Sequence, residues 1–307
     1  MLAAMRAAEK NLPDKLLKAI SRKGLHAGKF LYRVLRAPGA SQASRVLFIF
    51  GCQRSGTTLI QELFDRDFDA RVYPEFDSRV YGRATERQGR EAARHFRLKP
   101  LEQVRKVLAR ERARLVVVKP IVETQNAREL LAFFPQAKGL FVYRHYAAVA
   151  ASDLKRFGMR NGIDNLRPLV NGESANWRAQ GVASEVRAEI QARFHERMDP
   201  YDAAALFWYA RNRFFFDLGL ERHAAVKPLK YEGLVQEPSA AMEGIYRFVG
   251  LRCPPAVAAL VHGESSGNGR HVKLSAGVER LCDALLQRLE LASAQAWKVE
   301  GRDARFP

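Results

Sequence analysis

Four short stretches of the chain are apolar at nearly every position, and each runs into a segment whose apolar residues recur at helical spacing. "VLFIF" (46–50) leads through a glycine loop to a helix expected from Thr57 to Phe64. "LVVVK" (115–119) precedes a helix around Ala127 to Phe134, and "GLFVYR" (139–144) one from Ala147 to about Arg156. "AAVKPLKYE" (224–232) reads as a fourth strand, followed by a helix from Ser239 to Val249. Short continuous apolar strands alternating with helices predict an α/β fold whose parallel sheet is covered on both faces. Ligands of such sheets bind at the carboxyl ends of the strands. Residues 201–220 ("YDAAALFWYARNRFFFDLGL") read as one long, partly buried helix. Residues 157–200 are polar and carry Gly, Asn and Arg, and are expected as loop with a short helix, an insertion suited to a lid or an acceptor site.

Residues 1–45 follow a different pattern. They hold ten Lys and Arg against Glu9 and Asp14, with apolar residues at roughly helical spacing interrupted by Gly24 and Gly28. They read as a basic helical extension and linker ahead of one α/β domain over 46–307, with contact to a membrane surface as its sharper use. The whole chain of 307 residues carries a formal net charge of +18, which favours anionic partners. Beyond the extension both signs are mixed, so no specific nucleic-acid partner is expected. Cys52, Cys253 and Cys282 are too few and odd in number for a disulfide framework, and the seven histidines show no metal spacing. With no 18-residue apolar run and no secretory leader pattern, a cytoplasmic location is expected, peripheral to a membrane if the extension binds one.

The first strand supplies the most specific chemistry. It ends at Gly51, and "GCQRSGTT" follows, with Gly56 opening a helix. A strand–glycine loop–helix offers backbone N–H groups to a phosphate. The triphosphate loop reads G-x-x-x-x-G-K-[ST], and Thr57 stands where its lysine would be. No candidate strand ends in an acid that could hold Mg²⁺; the run "FFFD" ends at Asp217 inside the long helical pattern. The loop therefore suits a phosphate donor that needs no metal.

These residues resemble the sulfotransferases that use 3′-phosphoadenosine-5′-phosphosulfate (PAPS) and release the 3′,5′-bisphosphate PAP. Gln53-Arg54-Ser55-Gly56-Thr57-Thr58 is similar to that family's 5′-phosphosulfate loop, closest to the P-R-S-G-T-T of its tyrosylprotein branch. "FVYRHYAAVAAS" resembles the 3′-phosphate segment, with Arg144 and, eight residues on, Ser152. His145 to Ala148 lack the proline and acid usual there. "LKYEGLVQEPSAAMEGIYRFVGL" (229–251) resembles the family's Y-E-x-L-x-x-x-P segment, which places Tyr231 at the donor, and "FWYARN" with Trp208 and Asn212 also fits. The resemblance covers about 46–251, with a weaker tail through "HVKLSAG".

The resemblance implies a P-loop-like fold and in-line, metal-independent transfer of a sulfuryl group from PAPS to a hydroxyl or amine. Arg54 would stabilise the leaving phosphate, Ser55 to Thr58 would cradle the 5′-phosphate, and Lys119 would meet the sulfate. The tyrosylprotein branch uses a glutamate twenty-one residues after the loop arginine as base, which here is Glu75. Glu123 and Asp77 are the fallbacks, and Arg79 could help to bind an acidic acceptor. Polysaccharide, glycolipid, small molecule and peptide acceptors all stay open, and the sequence carries no signal for oligomeric state. The competing readings are a P-loop kinase or NTPase using ATP and Mg²⁺ and, third, a non-catalytic polyanion-binding protein.

Overall fold

The computed structural model describes residues 28–29, 44–83, 96–254, 257 and 272–298. The expected extension lies outside them, apart from residues 28, 29, 44 and 45. Five parallel strands form the sheet: β1 (Arg45–Gly51), β2 (Ala70–Tyr73), β5 (Leu115–Val118), β6 (Lys138–Tyr143) and β7 (Val226–Lys230), in the order β2-β5-β1-β6-β7. An antiparallel pair, β3 (Tyr81–Arg83) with β4 (Phe96–Leu98), stands apart from it.

The central strands β1, β5 and β6 are largely apolar because each feeds two cores. Phe48, Phe50, Val116, Val118 and Phe141 face one side, and Leu47, Ile49, Leu115, Val117 and Leu140 the other. On the second face lie α1 (Thr57–Asp65) and α9 (Pro238–Phe248), through Ile60, Leu63, Met242 and Ile245. On the first lie α3 (Ala127–Phe133), α7 (Pro200–Asp217) and α10 (Ala276–Ala296), through Leu130, Phe215 and Leu285. The remaining helices are α2 (Leu101–Leu108), α4 (Tyr146–Phe157), α5 (Asn161–Val170), α6 (Ser184–Gln191) and α8 (Tyr231–Gln236), with short 3₁₀ turns at Ile121–Asn126 and Leu220–Arg222.

Several expectations shift. The strand expected over 224–232 ends at Lys230, and Tyr231 instead opens α8. Pro238 then begins a second helix, as a residue without an N–H can at a first turn. The long helix is capped by Asp199, whose carboxylate accepts from Tyr201 N at 2.8 Å, and it stops at Asp217, which pairs with Arg213 at 2.7 Å. The segment 157–200 is helical over α5 and α6 rather than mainly loop. Its polarity hid an apolar stripe, Ile163, Leu166 and Leu169, that packs into the first core. Gly162 lets α5 approach α7, since a Cβ there would lie 2.7 Å from Ala204 N. Among the described residues no helix is long and apolar enough to cross a membrane.

Glu123 sits on the 3₁₀ turn after β5 and locks the β3–β4 pair to the sheet. Its carboxylate takes Arg97 Nε at 2.5 Å and Nη2 at 2.7 Å, Leu98 N at 3.2 Å and Asn126 Nδ2 at 2.8 Å. Glu123→Gln leaves the part-buried Arg97 guanidinium without its counter-charge, so unfolding free energy should fall by about 1.5–3 kcal/mol, the range for a hydrogen bond to a charged group. Chemical denaturation checks this; a midpoint equal to wild type would refute the structural role.

Candidate active site

Strand register assembles the site. Tyr73 of β2 lies opposite Val118 of β5, so Glu75 and Lys119 emerge side by side just past the strand ends. Lys119 Nζ is 3.3 Å from Glu75 Oε2 and 3.4 Å from Thr58 Oγ1 on α1. In the same way Tyr143 of β6 pairs with Lys230 of β7, so Arg144 and Tyr231 emerge together. The Arg144 guanidinium lies over the Tyr231 ring, 4.4 Å from its centroid. Trp208 Nε1 donates to Arg144 O at 2.9 Å, and Asn212 Nδ2 to Trp208 O at 2.8 Å, which ties this corner to α7.

The loop from Cys52 to Gly56 lies between the two pairs, after the central strand. Arg54 (φ 65°) and Gly56 (φ 88°) both hold positive φ, which turns the loop tightly, with Ser55 N donating to Cys52 O at 3.4 Å. For arginine this costs on the order of 1 kcal/mol. The strain positions the side chain: Arg54 Nε donates to Ser152 Oγ on α4 at 3.0 Å. Gly56 has no alternative, because a Cβ there would lie 1.9 Å from Tyr231 Cδ2. The Tyr231 ring thus lies against the loop at Gly56 and carries the Arg144 guanidinium over it.

Two observations fit a phosphate in this loop. Ser55 is fully buried, and its hydroxyl has no hydrogen-bond partner among the described residues. The first amides of α1 have no intrahelical acceptor, and the αL cap Gly56 offers no side chain to satisfy them. Arg144, 6% exposed, supplies a second fixed cation beyond Tyr231, as a second phosphate would need. His145, which stands where the family's turn departs, caps α4 by accepting from Ala147 N at 3.2 Å.

Gln53, Arg54, Thr57, Thr58, Glu75 and Lys119 line a cleft of about 300 Å³. The carboxyl of Glu75 titrates above the ordinary glutamate range because burial disfavours its charge, while Lys119 pulls it partly back. Neither fallback base shares this position. Glu123 is spent on Arg97, Leu98 and Asn126, and Asp77 is gripped by Arg79 through Nε at 2.9 Å and Nη2 at 2.5 Å. That grip also holds Arg79 against Asp77 instead of the cleft.

The remaining lining residues of the cleft were not anticipated individually from sequence. Phe157, Asn161, Asn165, Trp177 and Arg178 come from the end of α4, α5 and the loop after it. Asp153 lies behind the loop, accepting from Gln53 Nε2 at 3.5 Å and Asn161 Nδ2 at 2.5 Å. A faint signal existed: Asn161 and Asn165 stand four apart, on one helix face. Arg211 is fully buried beneath, bonded to Gln125 Oε1 at 3.1 Å and Ile121 O at 3.0 Å, and burial lowers its pKa to about 10.

Residues 47–255 match the model of the sulfotransferase family. No curated protein is significantly similar in sequence. Among solved structures, the sulfotransferase domain of the olefin synthase of Synechococcus PCC 7002 aligns with a TM-score of 0.51 at 17% identity, over 82% of this chain and 98% of that one. The sulfotransferase domain from the curacin biosynthetic pathway aligns with 0.51 at 15%, over 80% and 99%. At such identities these likenesses speak to the P-loop-like α/β fold.

Proposed function

The chain belongs to the sulfotransferase family, and we propose that it moves a sulfuryl group from PAPS to a hydroxyl or amine, without a metal, with Glu75 as the base. The observation that carries this reading is the contact of Glu75, Lys119 and Thr58 in the cleft that Arg54 also lines. PAPS, when bound, supplies the sulfuryl group on a phosphate oxygen that can leave. The protein's part is to hold the two ends in line and to neutralise charge where it builds.

Each residue has a task suited to its chemistry. The Gly56 cradle, Ser55 and Thr57 take the 5′-phosphate. Arg54, always protonated and held by Ser152, faces the leaving oxygen as a donor that cannot act as an acid. Lys119 bridges the loop and Glu75, so its charge serves the transferring group while fixing the base. Glu75 accepts the acceptor's proton on its carboxylate, and its raised pKa brings it nearer the basicity that proton transfer needs. Arg144, with Tyr231 and Ser152, holds the 3′-phosphate end.

The test is transfer of ³⁵S from labelled PAPS to a panel of hydroxyl and amine acceptors in EDTA. Label on any acceptor supports the reading; none with the panel, alongside phosphoryl transfer from ATP, overturns it. Arg144→Ala should weaken PAP binding at least about tenfold, the loss of a charge-assisted fork on a dianion, with a smaller change in turnover at saturating donor. Unchanged PAP affinity would remove Arg144 from the donor site.

A further inference from the structure

Asn165 and Arg178 form a buried polar corner in the wall of the cleft, on the side supplied by α5 and the loop after it. Asn165 is 2% exposed and Arg178 6%, and both line the cleft. Arg178 Nε donates to Asn165 Oδ1 at 2.6 Å. That bond fixes which way the amide points, so Nδ2 must be its donor end. Nδ2 is buried and has no hydrogen-bond partner among the described residues. A buried donor left unmade costs free energy, and a cleft wall is where a ligand can meet it.

The charges around the corner sharpen its preference. Asp153, whose charge reaches both Arg54 and Arg178, has its two oxygens taken by Gln53 and Asn161. Glu75 faces Lys119. Toward the cleft the corner therefore presents the Arg178 guanidinium and the Asn165 amide N–H. Trp177 lines the cleft beside it, with the Arg178 guanidinium 5.1 Å from its ring centroid. A group that only accepts hydrogen bonds complements this arrangement; a hydroxyl or amine would waste its donor.

We infer that the Asn165–Arg178 corner binds an oxyanion, a carboxylate, sulfate or phosphate, carried by the acceptor in addition to the group that is sulfated. The inference rests on the sulfotransferase reading only in naming the acceptor as the carrier. The acceptor would then lie along the cleft, its anion at α5 and its nucleophile between Glu75 and Lys119. The segment 157–200, which supplies the corner, would set acceptor choice.

The probe is labelled inorganic sulfate, measured by equilibrium dialysis on the full chain at constant ionic strength, with and without PAP. Asn165→Asp is the decisive variant: it keeps the oxygen that accepts from Arg178 and replaces the N–H by a second acceptor. Arg178→Gln is the second variant, and circular dichroism reports that both remain folded. Sulfate bound to the PAP-loaded protein, weakened at least about tenfold in Asn165→Asp while PAP affinity is kept, supports the corner. No sulfate binding, or binding that both variants retain, overturns it and assigns any bound sulfate to the loop. If PAP itself fails to bind, the donor reading falls, while the effect of Asn165→Asp on sulfate still decides the corner.

Discussion

Replacing Glu75 by glutamine is expected to lower turnover by about a hundred- to ten-thousandfold, the usual range for a lost general base, with PAP affinity within about threefold of wild type on the same reasoning. Glutamine keeps the shape and loses the proton acceptor. The pH dependence follows from the raised carboxyl. The rate should climb as Glu75 loses its proton, on an acid limb displaced above the ordinary carboxylate range, and this limb should vanish in the variant. Stability runs the opposite way. Between the unfolded and the raised folded pKa, the folded state keeps a proton that the unfolded chain releases, so stability falls as pH rises through that window. The cost is absent below the unfolded pKa and complete above the folded one. Glu75→Gln removes this titration, so the dependence of melting on pH across the window should flatten in the variant, although Lys119 loses its carboxylate partner. A variant that turns over normally would move the base elsewhere.

The second large effect is at Gly56. An alanine Cβ would stand 1.9 Å from Tyr231 Cδ2 and would sit at φ 88°, where L side chains are strained. Tyr231 cannot retreat freely, because it is 4% exposed and lies under Arg144. The loop must shift, and displacement by about 1 Å at a site of this kind costs about a hundredfold. PAP affinity should fall by at least that factor, with a smaller loss of thermal stability. Calorimetry beside a melting curve separates the two; tight PAP binding in Gly56→Ala would mean that the loop is not the phosphate cradle.

How far the sequence discloses this molecule depends on where each element's partners lie. β1, β5 and β6 are legible because they are buried on both faces and read as unbroken apolar runs. β2 ("ARVY") is not, since Arg71 interrupts it and only pairing with β5 makes it a strand. The β3–β4 pair is held by Glu123 reaching Arg97 and Leu98, contacts 26 and 25 residues apart that no local pattern announces. The long α10 was not anticipated; its moderate apolar stripe acquires meaning only against α7 and β7. In the candidate site the loop, Lys119 and Arg144 stand at strand ends legible in the sequence, Glu75 comes from the family resemblance alone, and strand register sets Glu75 beside Lys119 and Arg144 beside Tyr231. Asn165, Trp177 and Arg178 lie in the segment that the family resemblance does not cover, and their polarity concealed both their helix and their burial.

Gly56, Arg54, Tyr231 and Arg144 are proposed to form a bisphosphate donor site that works without metal. The most direct measurement is calorimetric titration of the purified chain with PAP in EDTA, beside ATP with Mg²⁺. The account predicts PAP binding without metal that weakens sharply in Arg144→Ala. Absence of PAP binding, with ATP taken up through Mg²⁺, would contradict it.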